Sequence, residues 1–422
     1  MRILILGLNY APEAIGIAVY TSGLARALKA KGHDVRVVAA PPYYPDWKVR
    51  DDFRGGWRRA VEDGIDLTRC PLYVPAEPSG LKRLLHHASF AISALFPMVG
   101  AAMRFKPDIV FTVAPSLIAA PVAWLAAKIA RVPCWLHIQD FEAEAAIATG
   151  LIDAKSFVGK FARRIEGAIY RRFDQLSSIS PEMCAKFADY NIPPARVVEF
   201  RNWATLENVR PLTGPSPYRS EWAIKTPHVA LYSGNIANKQ GIEIILDAAE
   251  RLKHRADLTF VICGMGPNRS ALEGRARGLH NIRFADLQPV ERLGDLLGLA
   301  TVHLLPQRAD AADLMLPSKL TNMLASGRPV VTTAPPASGL AREVNGAGIV
   351  VPPGDAAEFA RAIEVLLDNK EEWRRLAGSA RERAVTVWNQ KSIVSEFIEH
   401  ALELSQVARL RRFKKKEVKS SL

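Results

Sequence analysis

A chain of 422 residues is too long for one ordinary hydrophobic core, so two domains of roughly 200 residues each are expected. Apolar residues make up 49% and charged residues 23%, which argues against a disordered, fibrous or low-complexity protein. The net charge of +13 points to anionic partners, while four scattered cysteines (Cys70, Cys134, Cys184, Cys263), with no C-x-x-C or Cys/His spacing, argue against a disulfide framework or zinc site and suit a reducing compartment.

The opening MRILILGLNY has one arginine and a short apolar run, Ile3 to Leu6, too short for a signal-peptide core, and reads as a first strand. In the following GLNYAPEAIGIAVYTSGLARAL, Gly7 ends the strand and Gly16 precedes a helix beginning near Ala18. This is not G-x-G-x-x-G, and the second strand, DVRVVAA, has no acidic residue at its end to grip a ribose, so a dinucleotide site fits poorly. Gly16 either lets backbone approach a phosphate or sugar at a helix N-terminus or makes a plain tight turn. The apolar stretch Ala88 to Met103 falls short of the roughly 20 residues that a spanning helix needs; it suits a core helix or a docking surface equally.

Further strands are expected at DIVFTVA, PCWLHIQ, QLSSIS and RVVEFRN. PCWLHIQDFEAEAA places His137, Gln139 and Asp140 at the carboxyl end of a strand, where His137 or Asp140 is positioned to accept from a sugar hydroxyl or to act as a base. Alternation sends His137 and Gln139 to one side and Asp140 to the other, if the strand runs that far. The segment Lys155 to Arg172 has six basic residues against one acid, with Phe157, Phe161, Ile165, Ala168 and Ile169 at helical spacing. One reading is a helix for the anionic cytoplasmic leaflet, where each basic residue contributes on the order of 1 kcal/mol; the other is a core-packed helix with a solvated outer face. No nucleic-acid-binding motif with interleaved aromatics occurs.

Residues 202–227 are proline-rich and aperiodic, and a linker is expected there. Strands are then expected at HVALYSG, LTFVICG, IRFADL, TVHLLP, PVVTTA and GIVVPP. Strand and helix patterns alternate in both halves, implying two doubly wound α/β domains whose ligand-binding strand ends face each other across a cleft for two substrates. LYSGNIANKQGIEIIL places Gly234 and Asn235 at a strand end and Lys239 before a helix; VICGMGPNRSAL places Gly264 and Gly266 in a second glycine turn. Pro317-Ser318-Lys319 repeats the arrangement, so helix N-termini, the Ser318 hydroxyl and two lysines are placed to cradle a diphosphate, with a capping serine and a solvated lysine as the plainer account. The tail from Arg409 carries seven basic residues against one glutamate, +6 of the total +13.

Seven segments in order, GIAVYTSGLARALKAKGHDVRVVA, KPDIVFTVAP, SSISPEMCAKFADYNIPPARVVEFRNWA, SGNIANKQGIEIILDAAERL, ICGMGP, LPSKLTNMLASGRPVV and GAGIVVPPGDAAEFARAIEVLLDN, resemble the family 4 glycosyltransferases of the two-Rossmann-domain GT-B type over almost the whole chain. APPYYPDWKV, RCPLYVP, LKRLLHHASFA and LHIQDFE are similar to the colanic acid and exopolysaccharide glycosyltransferases. The resemblance implies an N-terminal acceptor domain at 1–203, a linker at 204–227, a nucleotide-sugar domain at 228–385, a helix at 386–408 packing back toward the first domain, and a basic tail at 409–422. It implies a retaining transfer, without a metal ion or other cofactor, of a hexose from a nucleotide-diphosphate sugar, with fucose from GDP-fucose as one candidate, to a polyprenyl-diphosphate-linked saccharide. It also implies a cytoplasmic protein held peripherally at the inner face of the plasma membrane.

By position, Gly16 would approach the donor phosphate, Lys239 and Ser318-Lys319 would bind the diphosphate, and Gly264 to Pro267 would line the nucleotide site. Two glutamates of the broad family are replaced by Leu314 and Asn322, of which only Asn322 retains a hydrogen-bonding group for a ribose hydroxyl; the arginine that often follows the Gly234 position is Asn235. The family's catalytic histidine falls near Gln139 or Asp140, which leaves His137 and Asp140 both as candidates. A nucleotide-sugar epimerase of the same architecture and a non-catalytic nucleotide-sugar or anionic-lipid binding protein are the rivals.

Overall fold

Apolar runs that continue without polar alternation, such as RILILG and IVFTVA, are strands covered on both faces, and here they form the interior of a largely parallel sheet. The computed structural model describes residues 1–422 except 14, 15, 143, 145–152, 154, 155, 309–315, 421 and 422; of 239 and 412–420 only the backbone is described. Two units result, one of Met1–Arg201 with Lys391–Leu422 and one of Asn202–Gln390.

The first unit holds β1 (Arg2–Gly7), β2 (Asp34–Ala39), β3 (Arg58–Glu62), β4 (Ile65–Arg69), β5 (Ile109–Ala114), β6 (Cys134–Ile138), β7 (Gln175–Ser178) and β8 (Val197–Glu199). Their order across the sheet is β3-β4-β2-β1-β5-β6-β7-β8. The pairing is parallel except between β3 and β4, a hairpin that the strand reading above does not include. It turns on Asp63-Gly64, both at positive φ (51° and 71°), a backbone shape suited to this dipeptide.

Helix Gly80–Arg104 is longer than the apolar stretch read from sequence and two-faced: Phe90, Ala94, Met98 and Ala101 are buried, while Leu85, Ile92, Phe96 and Met103 are exposed. Helix Phe157–Tyr170, whose first turn is capped by Ser156 accepting from Gly159 N at 3.0 Å, also turns its greasy side outward. Gly159, Glu166, Gly167 and Tyr170 face inward, with Glu166 accepting from Tyr190 Oη at 2.7 Å, whereas Phe157 is 83% exposed. The stripe read from sequence is therefore split: Phe157, Phe161 and Ile165 are exposed, while Ala168 and Ile169 are half-buried beside the packed Tyr170.

The last helix, Gln390–Ser420, belongs to the first unit from Lys391 onward. Its Phe397 ring lies 4.7 Å from Trp135, 5.0 Å from Phe111 and 5.2 Å from Phe200, filling the layer over β5 and β6. Farther along, Arg409 pairs with Asp108 at 2.6 Å, and Asp108 also accepts from Arg2 N at 2.8 Å.

The second unit holds β9 (His228–Ser233), β10 (Leu258–Cys263), β11 (Ile282–Ala285), β12 (Val302–Leu305), β13 (Val330–Thr333) and β14 (Gly348–Val351), all parallel, in the order β11-β10-β9-β12-β13-β14. Residues 204–227, expected as a linker, are packed into this unit: Val209 and Tyr218 are fully buried, and Leu212 sits where a side chain on Gly298 would be. Proline richness marks an irregular path here, not a free one. At the edge of the unit Ala204 N donates to Trp388 O at 2.9 Å, so the chain enters and leaves the unit side by side.

Phe397→Ala removes the ring that three aromatic neighbours surround and is expected to destabilise the first unit by about 3–5 kcal/mol, measured by urea denaturation followed by tryptophan fluorescence. A loss below 1 kcal/mol by the same measurement would show that this helix is not part of the first unit's core.

Candidate functional site

The carboxyl ends of β9 and β10 come together closely enough that side chains are excluded between them. A Cβ on Gly264 would lie 1.9 Å from Gly234 O, and one on Gly266 would lie 2.2 Å from Ile236 O and 2.8 Å from Asn235 Oδ1. Backbone bonds hold the two turns in this contact: Gly234 N donates to Cys263 O at 2.9 Å and Ile236 N to Met265 O at 2.8 Å. Gly234 has φ +136°, so its backbone as well as its neighbours calls for glycine. Beyond these contacts Asn235 and Pro267 are exposed, which leaves the rim of the paired turns open to a ligand.

Lys319 reaches this place from the helix Lys319–Ala325. Its Nζ stands 3.8 Å from the centroid of the Tyr232 ring, a cation–π contact, and would be 3.3 Å from a Cβ on Gly234. The bare glycine is what gives the ammonium room beside the turn. Ser318 precedes the helix, exposed, and its hydroxyl makes no capping bond, so the plainer account of it as a capping serine is not realised. Lys239 lies in the short 3-10 turn Asn238–Gln240, tied to the second glycine turn by Asn268 Nδ2 donating to Asn238 Oδ1 at 2.5 Å. The Lys239 side chain and Leu314 lie outside the described residues.

Asn322 has part of its capacity engaged: its Oδ1 accepts from Thr205 N at 2.7 Å, leaving the Nδ2 group as the one to offer a ribose hydroxyl. The structure thus brings together Gly234, Asn235, Gly264, Gly266, Pro267 and Lys319, and gives Asn322 a second, fastening duty. Sequence reasoning missed Tyr232, the ring beneath the ammonium; its place two residues before Gly234 was the available signal.

In the first unit, Gly16 precedes helix Ile17–Ala30 with φ +66°, and among the described residues nothing stands within 4 Å of where its Cβ would be. The backbone itself selects glycine there. His137 does not face solvent as expected. It is 1% exposed on β6, with its ring stacked 6.1 Å from Phe111 and edge-on to Phe200 at 5.0 Å. Ser177 Oγ accepts from Trp135 Nε1 at 2.8 Å, which leaves its O–H to donate to His137 Nδ1 at 2.9 Å. Burial pushes the imidazole down to about 3, so it is a neutral core residue and not a base at a surface. The strand ends at Ile138, and Asp140, two residues on, is half-buried and reached by solvent. Among the described residues no group of three His, Cys, Asp or Glu side chains is placed to hold a metal ion.

Comparison with known proteins adds the following. Residues 16–203 match the model of the glycosyl transferase 4-like domain, and residues 227–369 that of glycosyl transferases group 1. The chain is 41% identical over 343 residues to the putative colanic acid biosynthesis glycosyl transferase WcaI of Escherichia coli (strain K12), an overlap of 79% of this chain and 83% of that protein. It is 32% identical over 175 residues to alpha-D-kanosaminyltransferase of Streptomyces kanamyceticus, covering 38% of this chain and 42% of that protein. Among solved structures, sucrose-phosphate synthase from Thermosynechococcus elongatus superimposes with a TM-score of 0.75 at 17% identity over 96% of this chain and all of that one. Anabaena Alr3699/HepE in complex with UDP and glucose gives 0.68 at 14% over 96% and 100%. These structural likenesses establish the GT-B fold of two Rossmann-like domains.

Gly264→Ala places a methyl group inside contact distance of Gly234 O and is expected to cost about 1–3 kcal/mol of the second unit's stability, read by chemical denaturation. Gly214→Ala, where a Cβ meets nothing within 4 Å, is the control and is expected to change stability by less than about 0.5 kcal/mol.

Proposed function

The chain belongs to the glycosyltransferases built from a glycosyl transferase 4-like domain and a group 1 domain, and on that footing we propose that it moves a hexose from a nucleotide-diphosphate sugar to a polyprenyl-diphosphate-linked saccharide during assembly of a colanic-acid-like exopolysaccharide. The observation that carries the donor half is the Lys319 ammonium held over Tyr232 beside the paired glycine turns of β9 and β10. A departing nucleoside diphosphate gathers negative charge as the glycosidic bond breaks, and a fixed cation stabilises that charge more in the transition state than in the substrate. The complex of Alr3699/HepE with UDP-glucose supports a nucleotide sugar as donor. Fucose delivered from GDP-fucose is the candidate hexose.

The transfer proceeds with retention and without a metal ion. The donor's own phosphate oxygen lies on the face that the acceptor attacks and takes the acceptor proton. No strong protein base is needed, which is compatible with a His137 enclosed in the core. Asp140, half-buried two residues beyond the end of β6, is the member of the pair His137 and Asp140 that solvent reaches, and it would orient an acceptor hydroxyl.

A lipid-linked acceptor requires the enzyme at a membrane, here the cytoplasmic face. Support comes from the outward apolar stripe Phe157, Val158, Phe161 and Ile165, interleaved with exposed Lys160 and Arg164. Helix Gly80–Arg104 adds exposed Ile92 and Phe96 and contains no acidic residue, so both faces suit anionic lipid.

Three results are expected. A nucleoside diphosphate at a hundred times its Kd raises stability by about 2.7 kcal/mol, and a screen of GDP, UDP and ADP by thermal shift identifies the base. Lys319→Ala weakens that diphosphate about tenfold or more while leaving the bare nucleoside unaffected; an undiminished shift in the variant removes Lys319 from the site. Phe157→Asp with Phe161→Asp reduces partitioning into vesicles containing anionic lipid about tenfold or more, by co-sedimentation, without altering the nucleotide shift.

A further inference from the structure

We propose that Trp47, Arg83 and His87 form the subsite of the first unit that binds the acceptor's first sugar and the phosphate joined to it. The inference rests on the acceptor reading above, and it adds the residues that recognise the acceptor. Two sequence stretches that the donor chemistry leaves unused, PPYYPDWKV and LKRLLHHASFA, meet here. Tyr43 and Trp47 lie in the segment that follows β2, and Arg83, His86 and His87 lie in the first turns of helix Gly80–Arg104. Segments leaving the carboxyl ends of strands are where open α/β sheets bind ligands.

The segment after β2 is held in place before any ligand arrives. The Glu13 carboxylate, from the segment after β1, accepts from Tyr43 N and Tyr44 N at 2.9 Å each and from Asn9 Nδ2 at 2.9 Å. Arg69, buried at the end of β4, donates to Ala40 O at 3.1 Å and Ala11 O at 2.5 Å. On this frame Trp47 adopts φ +50°, an uncommon conformation for a bulky side chain and one that persists only where the surroundings enforce it. Its indole is half-buried, 5.6 Å from Tyr43 and 5.4 Å from His86, and the Arg83 guanidinium stands 5.4 Å from its ring centroid.

Three kinds of chemistry are therefore side by side. The indole offers a flat apolar face of the kind that the C–H side of a pyranose stacks upon. Arg83, exposed, offers a planar fork of donors that matches phosphate. Behind them, His86 Nδ1 lies 2.6 Å from Tyr73 O; a carbonyl only accepts, so Nδ1 holds the ring proton and Nε2 is left as an acceptor. His86 Nε2 and His87 Nδ1 are both buried without a hydrogen-bond partner among the described residues. Burial pushes both imidazoles down to about 4, so near neutral pH they are uncharged. An unsatisfied buried nitrogen is a cost in free energy, and a sugar hydroxyl reaching the half-buried His87, whose ring lies 5.3 Å from His86, would relieve it. Leu81, Leu84 and Leu85, in the same two turns and more than half exposed, place apolar surface next to Arg83 for the start of a prenyl chain.

The test reads binding by the full chain, with farnesyl-diphospho-glucose, methyl glucoside and UDP as probes in calorimetry. Arg83→Ala is expected to weaken the farnesyl probe about tenfold and to leave methyl glucoside and UDP unchanged, with Arg83→Lys recovering part of the loss. Trp47→Ala is expected to weaken both saccharide probes about tenfold and Trp47→Phe much less. The proposal is overturned if Arg83→Ala binds the farnesyl probe as the parent does, or if either variant loses UDP affinity in step. Should Trp47→Ala fail to fold, the exposed Arg83 decides alone. A chain that binds all three probes and transfers no sugar overturns the transferase reading and leaves the subsite standing. One that transfers sugar with no dependence on Arg83 overturns the subsite and leaves the transferase reading standing.

Discussion

The donor half of the molecule depends on a contact in which nothing but backbone fits: the carbonyl of Gly234 against the α-carbon of Gly264. Because no side chain separates β9 from β10 at their ends, two strand-to-helix turns present their peptide groups at one place. The same absence lets Lys319 lie across Gly234 onto Tyr232. Cation, peptide dipoles and aromatic base are thus set by a single steric condition. Preorganisation of this sort is inexpensive at the moment of reaction, since the fold has already fixed each group.

Much of the architecture is readable from the chain. Twelve of the fourteen described strands follow from apolar runs bounded by turn residues, most of them because a strand buried on both faces has few alternatives. The β3–β4 hairpin escapes that reading since the edge strand RRAVE and its neighbour IDLTR both mix charge with apolar residues, although Asp63-Gly64 was a usable turn signal. Residues 204–227 escape it for the opposite reason: proline removes periodicity, yet a chain without periodicity still packs when Val209, Leu212 and Tyr218 find holes over small residues such as Gly298.

The site was legible in its parts and not in its geometry. Glycine turns and a lysine at a helix start are local patterns, so Gly234, Gly264 and Lys319 stand out singly. That they share one corner depends on strand order, which sequence does not print. His137 shows the converse failure. A histidine near a strand end looks chemical, but whether its ring points to solvent or core depends on Phe111, Phe200 and Ser177, which are distant in sequence. Helix Phe157–Tyr170 is similar: its amphipathic pattern is plain, while the direction of the greasy side is decided by Tyr190 and Glu166.

The placement of Phe397 has a bearing on how the polypeptide is made. The aromatic layer formed by Phe111, Trp135 and Phe200 waits for a ring that leaves the ribosome almost two hundred residues after Phe200, once the whole intervening unit of Asn202–Gln390 has been translated. Nascent or prematurely terminated chains therefore display an uncovered aromatic surface, which is the signal that chaperones and proteases act upon. The aromatic layer of the first unit is thus complete only once translation has passed Phe397.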